Sequence, residues 1–240
     1  IRLSTRPDYI STEILENLQK YGVTTIELGV QSMDNEVLKA SNRGHTAEQV
    51  EAAVRLIRQY PFRLGLQMMT GLPSDTDKKS METAKKLIAL KPEIVRIYPT
   101  LVIKDTYLED MYFDGEYKPQ TVDEAVNLCK KLLVMFEKEN ITVIRIGLQS
   151  TDEICEHGSV TAGPVHSSFR ELVESSIYLD ILKEKLKNVK KAEVFVNSKE
   201  ISKAVGNRRQ NILALEKEGT IISIHGDDNL KKREVRCVCY

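Results

Sequence analysis

The sequence predicts an α/β fold built on a parallel sheet, followed by a small α/β module. Three observations carry this. Apolar strand-like runs alternate with helix-like runs through residues 1–150. The helical runs carry apolar positions at three-to-four spacing. The character of the chain then changes over residues 151–190, and a short strand–helix–helix–strand unit closes it. Repeated strand–helix units imply parallel strands with helices outside, either as an open doubly wound sheet or as part of a barrel. In both, ligands meet the C-terminal ends of the strands.

The elements follow in order. "IRLST" reads as a strand and "STEILENLQKYG" as a helix, with Ser11 or Thr12 as N-cap and Gly22 just past its end. The strand "TTIELGV" leads through a loop and a helix to "NRGH". There follow the helix "TAEQVEAAVRLIRQY", capped by Thr46, the strand "FRLGLQMM" and the helix "DTDKKSMETAKKLIAL". "EIVRIYPTLV" reads as one strand, and after a loop "TVDEAVNLCKKLLVMFEKEN" and "ITVIRIGL" supply another helix and strand. Residues 151–190 hold the segment "HGSVTAGPVHSSF" and the helix "RELVESSIYLDILKEKL", read as a connecting segment. Residues 191–240 form the module: "AEVFVN", "SKEISKAVG", "NRRQNILALEKEG", "TIISIHG" and "REVRCVCY".

Bulk properties narrow the function. Apolar residues make up 41% of the 240 and charged residues 29%, ordinary for a well-packed soluble protein. No apolar run approaches the roughly 18 residues of a membrane span, and no signal peptide opens the chain, so a cytoplasmic protein without membrane partners is expected. The chain starts without Met, inside a strand, which reads as a piece of a longer protein. Cys129, Cys155, Cys237 and Cys239 are too scattered for a secreted disulfide framework. Strand alternation puts Cys237 and Cys239 on one face, where buried or idle thiols are expected ahead of metal ligands. Net charge is zero, yet from Lys183 onward 14 Lys and Arg stand against 8 Asp and Glu, a balance compatible with a polyanion or with a solvated surface.

Polar residues recur at the strand ends. Ser4 lies in the first strand, Glu27 and Gln31 in the second, Gln67 in the third before "TGLP", and Tyr98 in the fourth. Amides and hydroxyls there can bond a ribose or a base, while Gly71 and Pro73 set a tight loop. Arg43 offers a fork for a carboxylate or phosphate. Any one of these has a bland reading as a terminator, cap or surface cation; several on one rim make a ligand site.

The stretches "STRPDYI", "YGVTTIELGVQS", "NRGHT", "MMTGLP" and "VRIYPTLVIKDTYLEDMYFDGEYKP" resemble the radical S-adenosylmethionine (SAM) enzymes, in order and spacing as well as content. The nearest group is the catalytic subunit of Elongator with its short bacterial relatives, and "GPVHSSFRELVES" extends the likeness to about residue 176. A more distant resemblance is to oxygen-independent coproporphyrinogen III oxidase. The resemblance implies a partial radical SAM (β/α) barrel over residues 1–150. It implies that Gln31 and Ser4 contact the SAM ribose, Arg43 the methionyl carboxylate and Gln67 the nucleoside, with Gly71 of "TGLP" and Tyr98 on the adenine side. Ser4 and Gln67 stand where the porphyrinogen enzyme has carboxylates. Glu27 and His45 orient neighbours, or His45 caps the helix before Thr46.

The implied cofactors are SAM and a 4Fe–4S cluster, with an electron donor as partner and a 5′-deoxyadenosyl radical as the product of SAM cleavage. The C-x-x-x-C-x-x-C cluster loop and the Gly-Gly segment for the SAM amino group are absent from this sequence and belong upstream of Ile1, so this chain alone is expected to be inactive. The spacing of the four cysteines does not suit one cluster. His157, His166 and His225 show no partners for a Ser-His-Asp triad, and no acetyl-CoA signature is evident.

"ISKAVGNRRQNILALEKEGTIISIHGD" resembles, more weakly, a KH RNA-binding module, whose GxxG loop clamps phosphates. Here the loop is Gly206-Asn207-Arg208-Arg209, and Lys203, Gly206, Arg208 and Arg209 are the candidate RNA contacts; a helix–helix turn capped by Gly206 explains the same residues. The expected function is the C-terminal portion of a radical SAM enzyme acting in RNA modification. The alternatives are a coproporphyrinogen-oxidase-like activity and a non-catalytic RNA-binding protein on the same scaffold.

Overall fold

The structure is a computed structural model that describes residues 1–148 and 158–240. The chain divides into two units, Ile1–Ser167 and Ser168–Tyr240.

In the first unit, strands β1 (Arg2–Thr5), β2 (Thr25–Gln31), β3 (Arg63–Thr70), β4 (Ile94–Pro99) and β6 (Thr142–Ile146) form one parallel sheet in the order β1-β2-β3-β4-β6. The order runs one way without a reversal, which is a barrel arc and not a doubly wound sheet. Helices α1 (Thr12–Lys20), α2 (Asn35–Ala40), α3 (Ala47–Ile57), α4 (Asp77–Ala89) and α6 (Val122–Lys138) fill the crossovers.

Alternation assigns the two faces of the sheet. Ile26, Leu28, Val30, Leu64, Leu66, Val95 and Ile97 are buried on one, the face covered by apolar positions of α3, α4 and α6 such as Val54, Leu87 and Leu132. The opposite face carries Glu27 and Gly29 from β2, Gly65, Gln67 and Met69 from β3, and Arg96 and Tyr98 from β4; Gln31, past a break in register, folds its side chain back onto this face over Gly29. Glu27, Gln67 and Arg96, in the middle of these strands, thus fall on a single surface.

The expected strand "EIVRIYPTLV" is broken in the structure. β4 ends at Pro99, and β5 (Val102–Ile103) leaves the sheet to pair antiparallel with β7 (Val160–Ala162). Thr100 makes the corner: its N–H and its Oγ1 both donate to the Thr70 carbonyl, at 2.9 and 2.8 Å. The stretch read as loop holds a short helix, α5 (Tyr107–Phe113), which buries none of its residues and so shows no core stripe.

The second unit contains α7 (Phe169–Lys185), β8 (Lys191–Val196), α8 (Ile201–Val205), α9 (Gln210–Lys217), β9 (Ile221–Gly226) and β10 (Val235–Cys239). Its sheet has the order β10-β8-β9, with β9 parallel and β10 antiparallel to β8. The helix expected in a connecting segment belongs to this core: Tyr178 and Leu182 of α7 are fully buried in one cluster with Val194, Val196 and Ala204. A single apolar face on three short strands needs a helix to cover it. Cys237, in register with buried Val194, packs half-buried against this core, whereas Cys239, opposite Ala192 at the strand end, is exposed. Cys155 and His157 lie outside the described residues. Among the described residues no helix is long and apolar enough to cross a membrane.

Candidate functional site

Gln31 ends β2 in a conformation that side-chain-bearing residues rarely adopt, with φ of 65°. The pairing with β3 slips between Gly29 and Gln31, so the strand kinks there. The Val30 carbonyl holds the kink by accepting from the Ser32 N–H at 2.8 Å and from His45 Nε2 at 3.0 Å. A Cβ on Gly29 would lie 2.9 Å from Gln31 Nε2, so the folded-back side chain needs bare backbone beneath it. Gln31 Oε1 then accepts from Gln67 Nε2 at 3.2 Å, leaving the Gln31 amide nitrogen as a donor and the Gln67 oxygen as an acceptor for a ligand.

His45 does not cap the following helix. Thr46 does, in a reciprocal pair with Gln49, and Asn35 Oδ1 accepts from the Ala47 N–H. His45 turns inward instead; because Val30 offers only an acceptor, its Nε2 carries the proton, and its buried Nδ1 has no hydrogen-bond partner. Burial pushes its pKa down, opposed by the bond to Val30, so the ring is held neutral.

Arg43 follows α2, its backbone N–H bonded to the Leu38 carbonyl at 2.9 Å. Its guanidinium reaches Met69, with Nη2 3.3 Å from the thioether sulfur, a weak acceptor. Its Nε is buried with no hydrogen-bond partner. Burial lowers its pKa and nearby Arg6 lowers it further. A desolvated guanidinium without a carboxylate partner among the described residues fits an anionic ligand group. Arg43 lines a cavity of about 430 Å³ with Met69, Leu72, Pro73, Thr100, Leu101 and Met111. That size suits a cofactor, and the cavity opens where β3 and β4 end.

Ser4 sits on the exposed edge strand in register with Glu27. Glu27 is 3% exposed and clamped by two arginines: Arg2 Nε is 3.2 Å from Oε1, and Arg96 Nε is 2.6 Å from Oε2. Arg96 Nη1 also donates to the Tyr98 hydroxyl at 3.0 Å. Tyr98 is therefore buried and engaged, on the same face as Gln67. The sequence reading passed over Arg2, Met69 and Arg96; the available signal was an arginine inside the apolar run "EIVRIYP", in phase with Tyr98.

Gly71 is not brought to the Arg43 cavity, although its neighbours Leu72 and Pro73 are. Its N–H donates to Asp75 Oδ2 at 3.0 Å, its carbonyl accepts from the Tyr117 hydroxyl at 2.5 Å, and it lines a polar cavity of about 560 Å³ that shares Leu72 and Pro73 with the Arg43 cavity. Burial raises the Asp75 carboxyl, opposed by its bond from Ser80, and pushes Tyr117 up to about 12.

In the second unit Gly206 follows α8, with φ of 82° and its N–H bonded to the Ser202 carbonyl. Arg208 and Arg209 occupy left-handed backbone at φ of 50° and 62°. Both are exposed, with no side-chain partner among the described residues. Lys203 differs: its ammonium is committed to Glu200, a carboxylate 6% exposed that also accepts from Tyr178 at 2.8 Å. It is part of the core's polar network and not an open cation. His225 bonds Ser223 at 3.0 Å and lies beside Phe195, with no carboxylate in that pair of contacts.

No group of three His, Cys, Asp or Glu side chains among the described residues is placed to hold a metal. Cys129 is buried in α6, where burial pushes its thiol up to about 12. Arg43 fits an anionic group such as a carboxylate; Gln31, Gln67, Tyr98 and Ser4 do not line its cavity, and the described residues do not supply the thiolates of a cluster.

Residues 1–87 match the family described as the radical SAM superfamily and residues 92–178 the radical SAM C-terminal domain. A tRNA uridine(34) acetyltransferase of Methanocaldococcus jannaschii is 37% identical over 129 residues, 52% of this chain and 24% of that protein. Human Elongator complex protein 3 is 33% identical over 138 residues, 56% of this chain and 25% of that protein. The chain thus spans about a quarter of the length of these relatives. The structure of Methanocaldococcus infernus Elp3 with an N-terminal deletion superposes with a TM-score of 0.65 at 29% identity, over 77% of this chain and 41% of that one. With strand order, polar face and both matches in agreement, the chain belongs to the radical SAM superfamily.

Proposed function

We propose that this chain is the SAM-holding part of an iron–sulfur-dependent radical SAM enzyme that modifies RNA. The observation that carries the SAM reading is Arg43, a desolvated guanidinium without a carboxylate, on a cavity of cofactor size. Arg43 would take the methionyl carboxylate; Gln31, held to Gln67, would bond the ribose. Ser4 would stand beside them, and Tyr98 would wall the adenine side through its ring, its hydroxyl being engaged by Arg96. When bound, SAM and a reduced 4Fe–4S cluster supply the radical chemistry, yielding 5′-deoxyadenosine after hydrogen abstraction. The chain's own residues orient the cofactor and exclude water from it.

The RNA part rests on relatives named for tRNA and on the second unit. Arg208 and Arg209 stand exposed in a loop beside the first turn of α9, whose N-cap position makes no side-chain bond. Exposed cations there suit backbone phosphate.

The test is SAM cleavage by the N-terminally complete protein, purified without oxygen and given a strong reductant. 5′-Deoxyadenosine that falls at least tenfold in Arg43→Ala supports the reading; no cleavage and no bound iron would sink it. For RNA, an Arg208→Ala/Arg209→Ala variant is expected to lose retention of structured tRNA, and unchanged retention removes the role of this loop.

A further inference from the structure

Arg145 on β6 is the register partner of Arg96 on β4. The pairing slips by one residue between Val95 and Arg96; across that bulge Arg145 stands opposite Arg96, while Val143 and Ile146 stand opposite Val95 and Ile97, so Arg145 shares the surface that bears Gln67 and Tyr98. Among the described residues named on this surface, the charges do not balance. Arg2, Arg96 and Arg145 stand against one carboxylate, Glu27, whose two oxygens are taken by Arg2 and Arg96. Arg145 is half-buried and, among the described residues, has no hydrogen bond, ion pair or ring contact. A cation that has lost part of its water and gained no anion gives up solvation without return. The neighbouring polar groups are the neutral amides of Gln31 and Gln67, so Glu27 is the one carboxylate among the residues named on this face.

We propose that Arg145, reinforced by the field of Arg96, binds a phosphate of the substrate. A guanidinium fork matches two oxygens of a phosphodiester. This rests on the RNA reading for the source of the phosphate, and on the sheet face alone for the anion site. It differs from the Arg43 position, which faces the methionyl carboxylate.

The test is binding of the dinucleotide UpU, uridine, acetate and SAM to the full chain by calorimetry, in wild type, Arg145→Gln and Arg145→Lys. The expected result is a roughly tenfold loss of UpU affinity in Arg145→Gln, partial recovery in Arg145→Lys, and uridine and SAM binding unmoved. Thermal melts establish that each variant is folded. Equal UpU binding by wild type and Arg145→Gln overturns the proposal, as does displacement of UpU by equimolar acetate. If the phosphate site fails while tRNA is still retained, the RNA reading stands without it. If UpU binds through Arg145 and tRNA is not retained, the anion site stands and the RNA reading falls.

Discussion

Gln67 Nε2 donates to Gln31 Oε1 at 3.2 Å, tying the end of β3 to the kinked end of β2. Neither side chain sets the position of a ligand-facing group by itself; each orients the free half of the other amide. Loss of one partner should therefore cost much of what loss of both costs. Gln31→Ala and Gln67→Ala are expected to weaken SAM binding non-additively, with a coupling of about 1 kcal/mol. A double-mutant cycle on the cluster-loaded protein measures this, and additive losses would show that the bond does not organise the site.

Arg43 carries an unmet hydrogen-bonding demand among the described residues. Its buried Nε lacks a partner and its best contact is a thioether. Arg43→Met keeps much of the length and apolar stem, and is expected to raise stability by about 1 kcal/mol while abolishing SAM binding. Urea denaturation reads the first effect; a drop in stability would mean that the guanidinium is satisfied in a way the contacts do not show.

Stability should fall on acidification through His45. Its folded pKa is depressed by burial, below the roughly 6.5 of an unfolded histidine. The folded state therefore binds fewer protons in that window, and its stability is fully present above about 6.5 and is lost as pH falls through the lower folded value. Protonation would also place a charge on Nδ1, which is buried without a partner. His45→Gln, which retains a donor for Val30, should flatten the acid limb. Melting temperatures from pH 7.5 to 5 in both proteins decide it.

Glu27 is a buried carboxylate between two guanidinium groups. It is 3% solvent-accessible and, from β2, bonds Arg2 of β1 and, over β3, Arg96 of β4. Glu27→Gln leaves Arg96 half-buried beside a neutral amide and is expected to cost about 3 kcal/mol. The midpoint of urea unfolding tests this, and a shift equivalent to less than about 1 kcal/mol would mark the cluster as solvent-screened.

Arg209 pays for a left-handed backbone at φ of 62° just before α9. Arg209→Gly is expected to stabilise the second unit by about 1 kcal/mol and to weaken tRNA retention together. Stabilisation with retention unchanged would assign the arginine no part in RNA binding.

The sequence by itself determined the periodic elements and the class of fold, because apolar spacing and caps act over a few residues. Ser11, Thr46 and Gly22 appear where the helix ends require them. It also determined which strand ends carry amides, since alternation along a strand is local. Tertiary structure alone decided which of these residues meet. Gln31 and Gln67 are 36 positions apart and join only because β2 and β3 are neighbours in register. Gly71, next to Leu72 in sequence, turns to another cavity because Asp75 and Tyr117 hold its backbone. Helix α7 joined the small module because the face of its three strands needed covering, a requirement set by packing and invisible in any one segment. Arg96 and Arg145 became neighbours through the pairing of β4 with β6, and the charge imbalance they create exists only once the sheet has formed.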